Sequence, residues 1–231
     1  MSTEHDIELS GAVWVALQAI VAGREPGEDA AELVGRGLLA EGGLTPRAEA
    51  LLVPFREAVA VVRVGRGGTE QRREATVWVG ADRACLAELT VGENVLLRAL
   101  APGYLPLLLG GLTQLRPSPL PALVSTQPVP APWLRALLSG PEDAPVSDLA
   151  AEIRPLWPDI AEEITAGSWH WWAVEAFALD GDKARLRGSA FVIDTEAGLL
   201  GVDLGETEAA LTPIAPTDAW RRLTFLVAPS A

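Results

Sequence analysis

The chain has 231 residues, of which 49% are hydrophobic and 21% charged, so it can bury a sizeable core and falls outside the disordered class. Its 31 acidic and 18 basic residues give a formal charge of -13, which argues against unspecific binding to nucleic acid or to an anionic membrane, since both need a basic face. The single cysteine, Cys85, excludes an internal disulfide and a cysteine-based zinc cluster, and its apolar neighbours predict a buried, inert thiol.

Met1 to Ser10 is acidic and polar and lacks the basic and apolar segments of a secretory signal, which predicts a cytoplasmic protein. Leu9 to Ala22 carries Val13, Leu17, Ile20 and Val21 at helical spacing, with Ser10 placed as the cap. A second helix is expected over Glu28 to Leu39, closed by Gly42-Gly43, and a third from Thr45-Pro46 to Phe55. From Ala58 the period becomes that of strands: Val59 to Val64, a Gly-rich turn, Glu74 to Val79, Ala84 to Leu89 and Val95 to Leu100. Pro102 to Leu115 reads as a helix weakened by Pro106 and Gly110-Gly111, and its apolar run is too short and broken to span a membrane.

Residues 116 to 132 hold six prolines, which bar a regular helix or an inner strand and predict an extended surface linker between halves 1 to 115 and 133 to 231. The second half repeats the order. Helices are expected near Trp133 to Leu138 and Val146 to Ala166. Strands follow at Trp169 to Leu179, Ala184 to Ile193, Leu199 to Leu204 and Glu208 to Leu211, with a closing helix at Pro216 to Val227. Equivalent positions recur at a nearly constant spacing: Val79 and Val192, Ala84 and Ala197, Gly92-Glu93 and Gly205-Glu206, Ala101-Pro102 and Ala215-Pro216. The expectation is a duplicated, pseudo-twofold α+β fold, a central antiparallel sheet flanked by two helical bundles.

Chemistry-bearing residues are few. Trp169, His170, Trp171 and Trp172 open a strand, so they put aromatic rings on both faces. One face is assigned to the core and the other to a partner, because tryptophan is enriched in binding hot spots. Trp157, between Pro155 and Pro158, sits where a helix must break; an exposed binding tip and a plug filling the kink are both open readings. Arg66, Arg72 and Arg73, with Arg63, form the densest basic cluster. They could pair with acidic groups of a partner, although a solvated hairpin tip is the simpler reading. The Gly65-Arg66-Gly67-Gly68 run lacks the Lys-Ser/Thr ending of a phosphate-binding loop. The two histidines, His5 and His170, have no ligand or nucleophile at a recognised spacing. Asp180, Asp182, Asp194, Glu196 and Asp203 could gather for acid-base or metal work, but turn chemistry explains Asp180-Gly181-Asp182 more simply.

Ala30 to Leu39, the run Gly37-Leu38-Leu39-Ala40-Glu41-Gly42-Gly43-Leu44-Thr45-Pro46, the Arg-rich hairpin, Val192 to Gly198 and Leu211 to Pro216 together resemble the EspG family of actinobacterial type VII secretion. The likeness covers most of the chain and rests on a diffuse pattern. It implies a quasi-twofold sheet with two helical bundles and a non-enzymatic, cofactor-free cytoplasmic chaperone. Such a chaperone covers the hydrophobic tip of a PE-PPE client pair with its sheet and C-terminal bundle. The chain departs from the family in being short, in its compact Gly65 to Arg73 loop and in lacking a motif that identifies a client system, so another helical, WXG-like client fits as well.

The expected partner-binding residues are Trp157, Trp169, Trp171, Trp172, Arg66, Arg72 and Arg73, with no metal or cofactor. Burial of all four tryptophans would exclude them as direct contacts. Two other classes fit the composition: an immunity protein that binds a basic toxin through carboxylates, its complex weakened by salt, and a small-molecule enzyme with a pocket near His170.

Overall fold

The computed structural model describes residues 6–25, 30–40, 43–69, 72–90, 94–139, 145–181 and 183–228. His5, Glu28, Gly42, the Gly92-Glu93 turn and Asp182 lie outside these residues. The chain forms two compact units that do not coincide with its sequence halves. Unit 1 takes 1–63, 74–105 and 177–185; unit 2 takes 64–73, 106–176 and 186–231.

Unit 1 begins with β1 (Ile7–Ser10) and α1 (Gly11–Val21). Ile7 and Leu9 both point inward, a period of two that makes a strand where Leu9 was expected to begin the helix. Ser10 caps α1 as expected, accepting a hydrogen bond from Val13 N at 3.3 Å. The second helix, α2 (Ala30–Gly35), ends before the predicted Leu39. Gly37 takes a left-handed φ of 69° there, and Leu38 and Leu39 turn into the core. Leu39 starts the two-stranded ribbon of β2 (Leu39–Ala40) and β3 (Gly43–Leu44). Thr45 then caps α3 (Pro46–Arg56) by accepting from Ala48 N at 3.3 Å. β4 (Ala60–Gly68), β5 (Arg73–Val79), β6 (Ala84–Leu89) and β7 (Asn94–Leu100) follow. The core packs Leu9, Val13, Leu17, Leu33, Leu52 and Leu97 together. Cys85 is buried among them, and burial pushes its thiol up to about 12, well away from reactivity.

A single 3₁₀ turn at Pro102–Tyr104 leads into α4 (Leu105–Thr113). Gly110, which weakens this helix on paper, lets Trp220 approach: a Cβ there would lie 2.8 Å from the indole ring. Unit 2 continues with β8 (Gln127–Pro130), α5 (Ala131–Ser139), α6 (Val146–Ile153) and α7 (Pro158–Ala166). After these come β9 (Trp169–Asp180), β10 (Lys183–Thr195), β11 (Gly198–Leu204), β12 (Glu208–Ile214) and α8 (Pro216–Val227). The break expected near Pro155 and Pro158 separates α6 from α7.

Among the described residues ten strands hydrogen-bond in the order β1-β7-β6-β5-β4-β9-β10-β11-β12-β8. The pairs β1–β7, β5–β6, β6–β7, β10–β11, β11–β12 and β12–β8 are antiparallel, which makes the fold α+β with a large antiparallel sheet. β8 carries Pro128 and Pro130 at a sheet edge, where a missing N–H costs no ladder bond.

The rest of the proline segment, Arg116 to Thr126, is a strap tied to unit 2 at several points. Pro119 and Pro121 pack on Gly198, which is at φ 153° and where a Cβ would meet them at 3.0 to 3.2 Å. Thr126 and Thr212 share a hydroxyl hydrogen bond of 3.0 Å, and Arg116 pairs with Glu196 at 3.3 Å.

Candidate functional site

The aromatic run opening β9 lies inside unit 2. Trp169, Trp171 and Trp172 are 6%, 3% and 0% exposed, and Trp157 is 3% exposed. The expectation that one face of this run meets a partner is therefore corrected: both faces are covered, and none of the four indoles offers free contact area. Two local arrangements explain why.

Gly65 and Gly67 lie in β4 rather than in a turn, and Trp171 rests against them. A Cβ at Gly67 would be 2.8 Å from the indole ring and one at Gly65 3.3 Å, so glycine is what makes the seat. Phe191 and Trp171 also meet edge to face, with centroids 6.2 Å apart at 85°. Trp157 plugs the break between α6 and α7, and its indole N–H donates to the strap carbonyl of Leu123 at 2.9 Å.

The arginines divide. Arg66 is 6% exposed. Arg72 lies 5.9 Å over the Trp171 ring and donates to Leu138 O at 2.6 Å, anchoring the hairpin to the end of α5. Arg73 is exposed. The basic cluster is thus partly built into the framework instead of forming one solvated tip.

The exposed apolar side chains of unit 2 went unnoticed in the sequence. Leu107 is exposed on α4, Leu120, Leu123 and Val124 on the strap, and Trp220 and Phe225 on α8, with Phe225 76% accessible beside Arg221 and Arg222. The signal was present: α8 buries Ala219, Leu223 and Leu226 at helical spacing, which leaves Phe225 off the core stripe.

The carboxylates do not gather into a ligand set: among the described residues no group of three His, Cys, Asp or Glu side chains is placed to hold a metal. Asp180, Glu196 and Asp203 are exposed, whereas Asp194 is fully buried. Its Oδ2 lies 3.6 Å from His170 Nε2, which also sits 3.3 Å from Thr113 O at the end of α4. The Trp172 indole N–H is the nearby donor to the Asp194 carboxyl, in geometry short of a full hydrogen bond. Burial pushes the Asp194 carboxyl up to about 7, against the downward pulls of Arg116 and of the Trp172 N–H close by, while Glu163 adds to the rise. His170 lines a cleft of about 370 Å³ together with Thr69, Arg116, Glu163, Ser168 and Glu196, among others; Asp194 does not reach it.

No protein-family model matches the chain, and no curated protein matches it. Among solved structures it is similar to the Mycobacterium tuberculosis type VII secretion system chaperone EspG5, in a structure of that protein in complex with the PE25-PPE41 dimer. The TM-score is 0.60 at 12% sequence identity, over 96% of this chain and 95% of that one. From β1 to α8, the chain carries the fold of EspG5.

Proposed function

We propose that this chain is a non-enzymatic binding protein that acts in the cytoplasm as a chaperone for type VII secretion, shielding an apolar surface of a helical client pair of the PE-PPE kind. The observation that carries this reading is the fold likeness over nearly the whole of both chains, to a protein solved with such a dimer bound. The charge of -13 suits the role, since it keeps the carrier off nucleic acid and anionic lipid. No helix among the described residues is long and apolar enough to cross a membrane.

The mechanism is burial of apolar surface, and the contact residues are the exposed ones of unit 2. Phe225 and Trp220 supply the anchors, and Arg221 and Arg222 supply orientation. The buried tryptophans act beneath the surface, fixing the framework. An interface of roughly 1,600 Å² is enough for a stable complex.

The test is co-expression with PE-PPE pairs of the same genome, followed by affinity capture and size-exclusion chromatography. A co-eluting complex that survives high salt is expected. Failure to capture any pair, or capture of a basic partner through a complex that dissolves as salt is raised, would overturn the reading in favour of a carboxylate-driven neutralising protein.

A further inference from the structure

We infer that a cleft of unit 1, between the start of α3 and the end of β7, binds an aliphatic carboxylate, its alkyl chain against alanines and its head held by Arg47 and Arg83.

The cleft follows from side-chain size. Val95 and Leu97 of β7 point into the core of unit 1, and by the period of two Ala99, then Ala101 just past the strand, continue that face. On α3, Arg47, Ala50 and Leu51 share one face at helical spacing. Ile7 and Leu51 are buried, but Ala50, Ala99 and Ala101 are too short to close the space between the two elements. What is left is a cleft of about 460 Å³ whose apolar lining is Ile7, Ala50, Leu51, Ala99, Leu100 and Ala101. That volume lies in the range of small-ligand sites.

The charge is what selects the ligand. Arg47, in the first turn of α3, and Arg83, in the turn ahead of β6, complete the lining, which holds no carboxylate. Arg36, Arg56 and Arg98 of the same unit hold Glu32, Glu49 and Asp6. The side chains of Arg47 and Arg83 have no hydrogen bond or ion pair among the described residues, and both are exposed. The acids closest to them in the chain are engaged elsewhere. Glu49 is taken by Arg56, Asp6 makes two bonds of 2.7 and 2.9 Å to Arg98, and Asp82 lines a separate cavity of about 130 Å³.

Two unpaired cations beside an apolar gap, in a chain of charge -13, are complementary to an anion with an apolar body. A carboxylate suits the planar guanidinium fork, and at Arg47 it would also offset the unfavourable position of a cation at the positive end of a helix. The body is aliphatic because, apart from the two arginines, the lining side chains offer no hydrogen-bonding group. The amides of a peptide would lose water there without a side-chain partner, whereas an alkyl chain needs none. None of these residues is among the client contacts proposed above, so the inference stands without that reading.

The experiment is a calorimetric titration of dodecanoate, kept below its micellar range, into the full chain. Saturable one-to-one binding is expected, with a Kd on the order of 10 μM. Octanoate should bind at least about tenfold more weakly, since each methylene buried in full is worth about three- to fourfold. Dodecyltrimethylammonium, with the same chain and the opposite head, should not bind. Arg47→Gln and Arg83→Gln should each weaken dodecanoate about tenfold. Ala50→Glu, which sets a carboxylate at an exposed position on the rim, should abolish binding, and Arg24→Gln, at an exposed arginine outside the cleft, should leave it unchanged. All four substitutions are at exposed positions, and amide shifts of residues 47–51 and 99–101 on titration should locate the ligand. Equal binding of the two amphiphiles, or dodecanoate affinity unmoved by all three cleft variants, would overturn the proposal. So would tighter binding of an apolar tripeptide with a free C-terminal carboxylate, lost on amidation, which would make the occupant a peptide.

Discussion

The two units solve the same packing problem with different materials. The core of unit 1 is aliphatic, and its aromatic residues Trp14, Phe55 and Trp78 cluster at its border, centroids 4.7 to 6.0 Å apart and only half buried. The core of unit 2 takes Trp157, Trp169 and Trp171 inside, with Phe191 against them. Beside that core unit 2 also buries Trp172 and the carboxyl of Asp194. Helix ends differ as well. Side chains cap α1 and α3 in unit 1, whereas α6, α7 and α8 in unit 2 have no side-chain cap. Unit 1 is held by local signals, and unit 2 by large rings seated in gaps made for them. A unit of the second kind is sensitive to single changes.

The largest effect expected from this contrast is that of Trp171→Ala, which removes a buried ring from its glycine seat and should destabilise the chain by about 3–5 kcal/mol in denaturant unfolding. Trp14→Ala, at the border of the other core, should cost less than half as much. Equal losses would erase the distinction. Next is Gly67→Ala: its Cβ would sit 2.8 to 3.0 Å from a ring that is buried and in contact with Phe191, for an expected loss of about 1–3 kcal/mol. Gly35→Ala, at the end of α2 with nothing within 4 Å, should instead be neutral or gain up to about 1 kcal/mol.

These substitutions also mark what could be read in the sequence and what could not. The caps Ser10 and Thr45, the start of α8 at Pro216 and the break at Pro155 to Pro158 were legible because each depends on a few neighbouring residues. The Gly65 to Gly68 run was not, because its meaning lies in Trp171, far along the chain: glycine in a turn and glycine under a ring look alike until the partner strand is known. The burial of Trp157, Trp169, Trp171 and Trp172 failed to be read for the same reason, since the strap and the helices that cover them are non-local. The unit boundary, which runs through β4, β9 and β10, follows tertiary contacts and leaves no break in composition.

A smaller effect concerns the uncapped ends. Ala215 precedes α8 with an extended backbone at φ -72° and ψ 146°, the conformation of a capping residue, but it has no side chain to accept a bond. Ala215→Ser should raise stability by about 0.5–1 kcal/mol, and Ser10→Ala in unit 1 should lower it by about 1 kcal/mol. Both are measurable by chemical denaturation. A loss from Ala215→Ser would mean that the hydroxyl is not free to reach the first turn of α8.

The most direct test of the central claim is a calorimetric titration of a purified PE-PPE pair into the wild type, into Phe225→Ala and into Val15→Ala, the last altering an exposed apolar residue of unit 1. The account predicts saturable binding by the wild type, a loss of about 30-fold or more in affinity for Phe225→Ala, and no change for Val15→Ala. Absence of binding, or equal affinity in all three proteins, would contradict it.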